Sequence, residues 1–234
     1  MKIKLPSSLS EISVSEYQKL LRVYHDIKDE KTLSYEVVSL FIGLNKSEVY
    51  KLPFNYIEDM MVSISSALVE KPKTKLIQRF EIEGVEYGFI PNLNNASFGE
   101  YIDLDNYLKV DDKYHELADK FMAVAYRPIT YKNGNKYNIQ EYNGTENLVG
   151  QMRFAPADVY LSAVVFFCDL SKELLTASSR YLNQMERQPA QSERTLARGG
   201  DGTEAFTVLL NKISRNTSKL LAYHYPKPLL HYRL

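Results

Sequence analysis

Residues 80–108, FEIEGVEYGFIPNLNNASFGEYIDLDNYL, decide how the rest of the chain is read. At the start the period is two. Phe80 and Ile82 alternate with Arg79, Glu81 and Glu83, and beyond Gly84 the residues Val85, Tyr87 and Phe89 resume the alternation. That pattern predicts a β-hairpin with one buried face, spanning residues 77–90. A two-stranded hairpin is marginal alone, so it must pack on helices. The turn Pro91-Asn92-Leu93-Asn94-Asn95 then leads to Ser97-Phe98-Gly99-Glu100, the spacing of a capping box. The helix it starts is expected to bury Phe98, Tyr101, Ile102 and Leu108.

Upstream, the period is helical. Ser13 and Glu16 form another capping box, and Tyr17, Leu20, Leu21 and Tyr24 follow on one face. A second helix is predicted over residues 32–44 with Val37, Val38 and Phe41 inward. Ser47 opens a turn of helix that Pro53 closes. A longer helix from Phe54 lines up Ile57, Met60, Met61, Ile64 and Leu68. Lys71-Pro72-Lys73 breaks this unit before the hairpin.

Downstream, residues 113–126 carry Tyr114, Leu117, Ala118, Phe121, Met122 and Ala125 at helical spacing, with Arg127-Pro128 as the stop. Asn133-Gly134 predicts a second hairpin turn between Tyr-rich strands, which could pair with the first. Pro156 is placed at the first position of a long helix running towards Gln184. Its stripe is Tyr160, Ala163, Val164, Phe167, Leu170, Leu174 and Tyr181, and apolar Val165 and Phe166 on other sides mark it as buried. Residues 188–203, QPAQSERTLARGGDGT, have almost no large apolar side chain and read as a flexible linker. Beyond it Phe206, Leu209, Leu210 and Ile213 predict a terminal helix, and an aromatic, proline-kinked tail holds Tyr223 and Tyr225. The expected class is therefore α+β, mainly helical with one or two β-hairpins. Its divisions are an N-terminal helical unit (1–70), a hairpin plus helical core (71–185), an arm (186–203) and a terminal helix and tail (204–234).

Composition narrows the function classes. Among 234 residues, 44% are hydrophobic, enough for a sizeable core, and 29 Lys+Arg balance 29 Asp+Glu. No net field would steer the chain to nucleic acid or an anionic membrane. Its 18 Tyr and 10 Phe without Trp suit half-buried protein–protein contacts, and are equally what an AT-rich genome would supply. The N-terminus has no apolar signal core, and the longest strongly apolar run, 163–168, is far short of the about 20 residues that span a bilayer. An intracellular protein without a membrane span is expected.

Catalytic chemistry finds little purchase. The single cysteine, Cys168, lies in Val-Val-Phe-Phe-Cys, a core context that keeps a thiol inert. His25, His115, His224 and His231 never fall at i, i+3 or i+4, so no metal site is predicted. Glu100, Asp103 and Asp105 lack the glycine of a calcium loop, and acids early in a helix favour its dipole without any ligand. Gly199-Gly200-Asp201-Gly202 follows no strand and precedes no Lys-Ser/Thr, so it is a hinge rather than a phosphate loop. A mildly basic C-terminal third (Arg187, Arg194, Arg198, Lys212, Arg215, Lys219) keeps nucleic-acid association as a lesser alternative. No cofactor is expected.

Several phrases together resemble structural and assembly proteins of tailed bacteriophages, including the crAss-like group that infects Bacteroides-like hosts. They are Ile3-Lys4-Leu5-Pro6, then Leu9-Ser10-Glu11-Ile12-Ser13 with Glu16-Tyr17. Residues 96–104 (ASFGEYIDL), 121–128 (FMAVAYRP) and 163–167 (AVVFF) follow in the same order. The resemblance covers about residues 1–185. It implies a non-enzymatic morphogenesis protein: either a structural component of a tail or neck ring in the virion, or a tail assembly chaperone that leaves. The implied partners are other phage structural proteins at the tail or portal vertex and further copies of the chain. The implied location is the host cytoplasm during assembly and then the virion. The residues expected to make contacts are Asn92, Asn94, Asn95, Phe206, Leu209, Leu210, Ile213, Tyr223 and Tyr225.

Overall fold

The computed structural model describes residues 5–69, 75–108 and 114–186. The expected arm, terminal helix and tail, with Phe206, Leu209, Leu210, Ile213, Tyr223 and Tyr225, lie outside the described residues. Within them the fold is α+β and mainly helical, with eight α-helices and one four-stranded antiparallel sheet.

Strands β1 (Arg79–Ile82) and β2 (Val85–Phe89) form the first hairpin, with Ile82 opposite Val85. Both loop residues have positive φ, +50° at Glu83 and +81° at Gly84. That is the type I′ pattern whose twist matches the flanking strands. Strands β3 (Tyr126–Asn133) and β4 (Lys136–Ile139) form the second hairpin. Asn133 pairs with Lys136, so the loop is Gly134-Asn135, one residue later than expected, and Gly134 alone takes a positive φ of 60°. Glycine as the first loop residue is the type II′ solution, which leaves Asn133 free to stay in the ladder. The hairpins pair through β2 and β3, giving the order β1-β2-β3-β4.

The chain between β2 and β3 carries helices α5 (Phe98–Tyr107) and α6 (Ala118–Ala125). The helix expected over 113–126 is in fact a 3-10 turn, Tyr114–Leu117, followed by α6. Tyr126 then turns extended, and Arg127 and Pro128 continue inside β3 instead of merely stopping a helix. Two local forces explain the switch. Proline pushes its predecessor out of the helical region, and the Ala125 carbonyl is taken by the Ile90 N–H at 3.0 Å. Pro128 has no N–H to lose from the ladder and lies beside a register shift between Ile129 and Tyr131.

Gly88 marks a close approach across this sheet. A β-carbon there would meet the Tyr137 ring at 2.5 Å. The ring of Tyr137 crosses over β2 and its hydroxyl donates to the Phe89 carbonyl at 2.9 Å.

The N-terminal helices are α1 (Val14–Asp26), α2 (Glu30–Ile42), α3 (Lys46–Val49) and α4 (Phe54–Val69). The Ser13/Glu16 capping box forms as read. Two caps went unread: Asp29 accepts from the Thr32 N–H at 2.8 Å, and Asn45 with Glu48 makes a further capping box. Helices α7 (Glu146–Met152) and α8 (Ala157–Glu186) complete the described chain. The first turns of α1 and α8 are laced together. Val14 N–H donates to Ala155 O at 2.8 Å, Ser15 N–H to Arg153 O at 3.0 Å, and Ala157 N–H to Ile12 O at 2.8 Å. Each helix start thereby satisfies donors that have no partner within the helix itself.

The aromatic residues explain much of the core. Phe80 packs edge-on to Tyr126 (5.2 Å between centroids), Tyr126 to Phe89 (5.3 Å), and Phe89 against Phe167 (5.8 Å). Phe167 meets Phe121, Phe121 meets Tyr160, and Tyr160 meets Tyr17, which links the sheet through α8 and α6 to α1. Edge-to-face contacts of this kind add to the area they bury. The first half of α8 is buried on several sides: Tyr160, Leu161, Ala163, Val164, Phe167 and Cys168 are covered, and Val165 and Phe166 are half-buried. A buried polar pin fixes the lead-in to β1. Ser162 Oγ accepts the Ile77 N–H at 3.1 Å, and the Tyr126 hydroxyl donates to the Ile77 carbonyl at 2.7 Å. No helix among the described residues is long and apolar enough to cross a membrane.

Candidate interaction surface

Helix α5 is capped by Ser97, whose Oγ accepts the Glu100 N–H at 3.2 Å while Glu100 Oε2 accepts the Ser97 N–H at 2.6 Å. The cap places Glu100 at the third helical position, and Arg127 then determines which way it faces. Arg127 Nη2 lies 2.6 Å from Glu100 Oε1, with the two side chains 7% and 6% exposed. The pair is buried, so it sets the roll of the helix. Leu104 and Leu108, four and eight residues further on, share the inward face with Glu100 and are also buried.

The opposite face must therefore point outward. Phe98 is 78% exposed, Tyr101 42% and Ile102 40%. This corrects the expectation that these three fill the core; of the four residues read as inward, only Leu108 is. A carboxylate with a dedicated partner occupies the interior stripe, and the apolar residues at i, i+3 and i+4 form the outer one.

Tyr142, in the segment after β4, clamps the helix from the side. Its ring lies where a β-carbon on Gly99 would be in van der Waals contact, at 3.4 Å. Its hydroxyl donates a short hydrogen bond to Asp103 Oδ2, and the Arg127 guanidinium sits 5.4 Å from the ring centre. Burial, reinforced by the hydrogen bond to and charge of Asp103, pushes the Tyr142 hydroxyl well above its usual range, so it stays a donor. Burial also pushes the Glu100 carboxyl up, but hydrogen bonds from Ser97 and the Arg127 contact outweigh it and hold the group below its usual range. Glu100 and Arg127 are an ion pair that organises a surface.

Of the expected contact residues, Asn92, Asn94 and Asn95 are exposed just before α5. Asn92 is spent on its own turn: its Oδ1 accepts the Asn94 N–H at 3.0 Å and its carbonyl accepts the Asn95 N–H at 3.1 Å. Next to this turn a shallow groove of about 680 Å³ is lined by Pro91, Thr130, Asn138, Ile139, Gln140, Glu141 and Asn143. Its walls are mostly polar, along the edge strand β4. The turn leads directly into α5, and Pro91 at its start also lines the groove. The missed signal was the spacing of Glu100, Leu104 and Leu108, visible once Glu100 is counted as an interior residue.

Of the residues considered for chemistry, His224, His231 and Gly199 to Gly202 lie outside the described residues. Cys168 is buried in α8, and His25 is exposed with Nδ1 2.9 Å from Asp26 Oδ1. Among the described residues no group of three or more His, Cys, Asp or Glu side chains is placed to hold a metal ion. A scan of family models, a search of curated proteins and a search of solved structures each found no match to this chain.

Proposed function

We propose that this chain is a non-enzymatic morphogenesis protein of a tailed bacteriophage, a component of a tail or neck ring that works through protein–protein contacts. The observation that carries the proposal is the outward apolar face of α5. Phe98, Tyr101 and Ile102 are held outward by a helix whose roll is locked from beneath, and aromatic anchors on a rigid element are the usual centre of a protein interface. The phage assignment is supported by the sequence resemblance alone, and the face of α5 lies within one of the phrases that carry it.

The test is mass spectrometry of purified virions of the encoding phage. Abundant peptides from this chain are expected; their absence overturns the ring and leaves the departing chaperone. Phe98→Asp, at a largely exposed position, should leave stability within about 0.5 kcal/mol of wild type. It should nevertheless remove the protein from virions, and normal incorporation of the variant would show that α5 is not the contact surface.

A further inference from the structure

We infer that strand β4 pairs antiparallel with β4 of a second copy, joining the two four-stranded sheets across a two-fold axis at Asn138. The inference goes beyond the role proposed for α5 and does not depend on it. Strand β4 ends the sheet on one side, and among the described residues no strand pairs with its far side. The ladder itself fixes which of its backbone groups face outward. The Gln140 N–H donates to Pro128 O at 2.9 Å, so residue 140 is turned towards β3 and residue 139 away from it. Across the two-residue loop Asn133 and Lys136 form a hydrogen-bonded pair, so residue 136 also faces β3 and residue 137 faces away. Tyr137 and Ile139 therefore present their N–H and C=O groups to the open side.

The other edge, β1, is built differently. Its outward positions are Arg79 and Glu81, because Gln78 O accepts the Phe89 N–H and Phe80 pairs with Tyr87. Charged side chains on an edge are a common guard against strand addition. At β4 the outward positions carry Tyr137 and Ile139, which are uncharged and half-buried. The bond from the Tyr137 hydroxyl to Phe89 O ties the strand across the sheet, so its edge is held in place before a second strand arrives. Thr130, Asn138, Ile139 and Gln140 line the groove beside that edge, which leaves room for the approach.

Outward groups bond only outward groups, and this selects one register. With Tyr137 opposite Ile139 of the other copy, and Ile139 opposite its Tyr137, every outward N–H and C=O of β4 is satisfied on both chains. Tyr137 opposite itself would set Ile139 against Asn135 in the turn, and Ile139 opposite itself would set Tyr137 against Glu141, past the end of β4. The favoured register also suits the side chains. It makes an aromatic–β-branched pair of Tyr137 and Ile139, and it brings Asn138 to Asn138, whose amides both donate and accept. Lys136 falls opposite the neutral Gln140, so no like charges meet. Strand β4 is thus complementary to itself, which is what a two-fold interface requires and what favours a second copy over an unrelated strand.

The test is oxidative disulfide trapping of the full chain carrying Asn138→Cys. In this register the two residues 138 form a non-hydrogen-bonded pair with Cα atoms about 4.5 Å apart, inside the range a disulfide spans. A disulfide-linked dimer should form several-fold faster than with Glu81→Cys on the other edge, Cys168 being buried in both. Adding Ile139→Pro removes an outward N–H that β3 does not use. It should slow the trapping of Asn138→Cys several-fold while the circular dichroism spectrum is kept. Trapping no faster than that of Glu81→Cys overturns the inference and leaves the edge to a strand of another protein. Undiminished trapping in the folded proline variant overturns it as well, because the contact would then not run through the main chain. If the proline variant does not fold, the comparison with Glu81→Cys decides alone.

Discussion

Removing one partner of the Glu100–Arg127 pair is the sharpest probe of how α5 is held. Glu100→Leu leaves a guanidinium buried at about one-fifteenth exposure. Breaking a buried pair from one side costs about 3–5 kcal/mol, mostly because the survivor is uncompensated. For a chain of this length each kcal/mol moves Tm by about 2–4 °C, so the midpoint should fall by roughly 6–20 °C. The double variant Glu100→Leu with Arg127→Met removes both charges and should recover most of the loss, a coupling that a double-mutant cycle in urea measures directly. Acid supplies an independent check. The folded pKa of Glu100 lies below its unfolded value, so its contribution is present at neutral pH and down to the ordinary carboxylate range. It is then lost as pH falls through the folded pKa. In Arg127→Met burial acts on Glu100 without the guanidinium, which raises the folded pKa. The stability gap between wild type and Arg127→Met should therefore narrow from pH 7 towards pH 4. A single-variant cost below about 1 kcal/mol, or a double variant as unstable as the sum of the singles, would refute the claim that this pair locks the helix.

Two further predictions concern the sheet. Gly88→Ala puts a β-carbon 2.5 Å from the Tyr137 ring and should cost about 1–3 kcal/mol in urea unfolding, but much less in a Tyr137→Ala background where the ring is gone. Glu83→Asn should stabilise by about 0.5–1 kcal/mol, because asparagine tolerates the +50° φ of the type I′ turn better than glutamate; an unchanged midpoint would argue against strain at that turn.

The legible parts of the fold were those where one local force dominates. The caps at Ser13 and Ser97 use side chains three residues apart, and the hairpins announce themselves through alternation and Gly84 or Gly134. The first half of α8 is apolar on so many sides that burial follows from any roll. The outer face of α5 was harder to read because a ten-residue helix with apolar residues on one side and acids on the other has an obvious inward face. Here that face is wrong. Arg127 lies 27 residues away in sequence, and only the fold brings it beneath Glu100. The end of α6 shows the same limit: Phe121, Met122 and Ala125 keep helical spacing into Tyr126, yet pairing of β3 with β2 claims Tyr126 for the sheet. Asn92, Asn94 and Asn95 are exposed as a turn should be, though Asn92 serves its own backbone first.

The lacing of α1 to α8 has a consequence for how the protein is made. The N–H groups of Val14 and Ser15 find their acceptors at Ala155 and Arg153, about 140 residues later in the chain. At ribosomal rates of about 5–20 residues per second, α1 waits on the order of ten seconds for the segment that completes its first turn. Closing so long a loop delays the reward for the contacts it brings. Tyr17 likewise meets the Tyr160 ring only once α8 has been made. The N-terminal helices therefore complete their backbone pairing only late in synthesis.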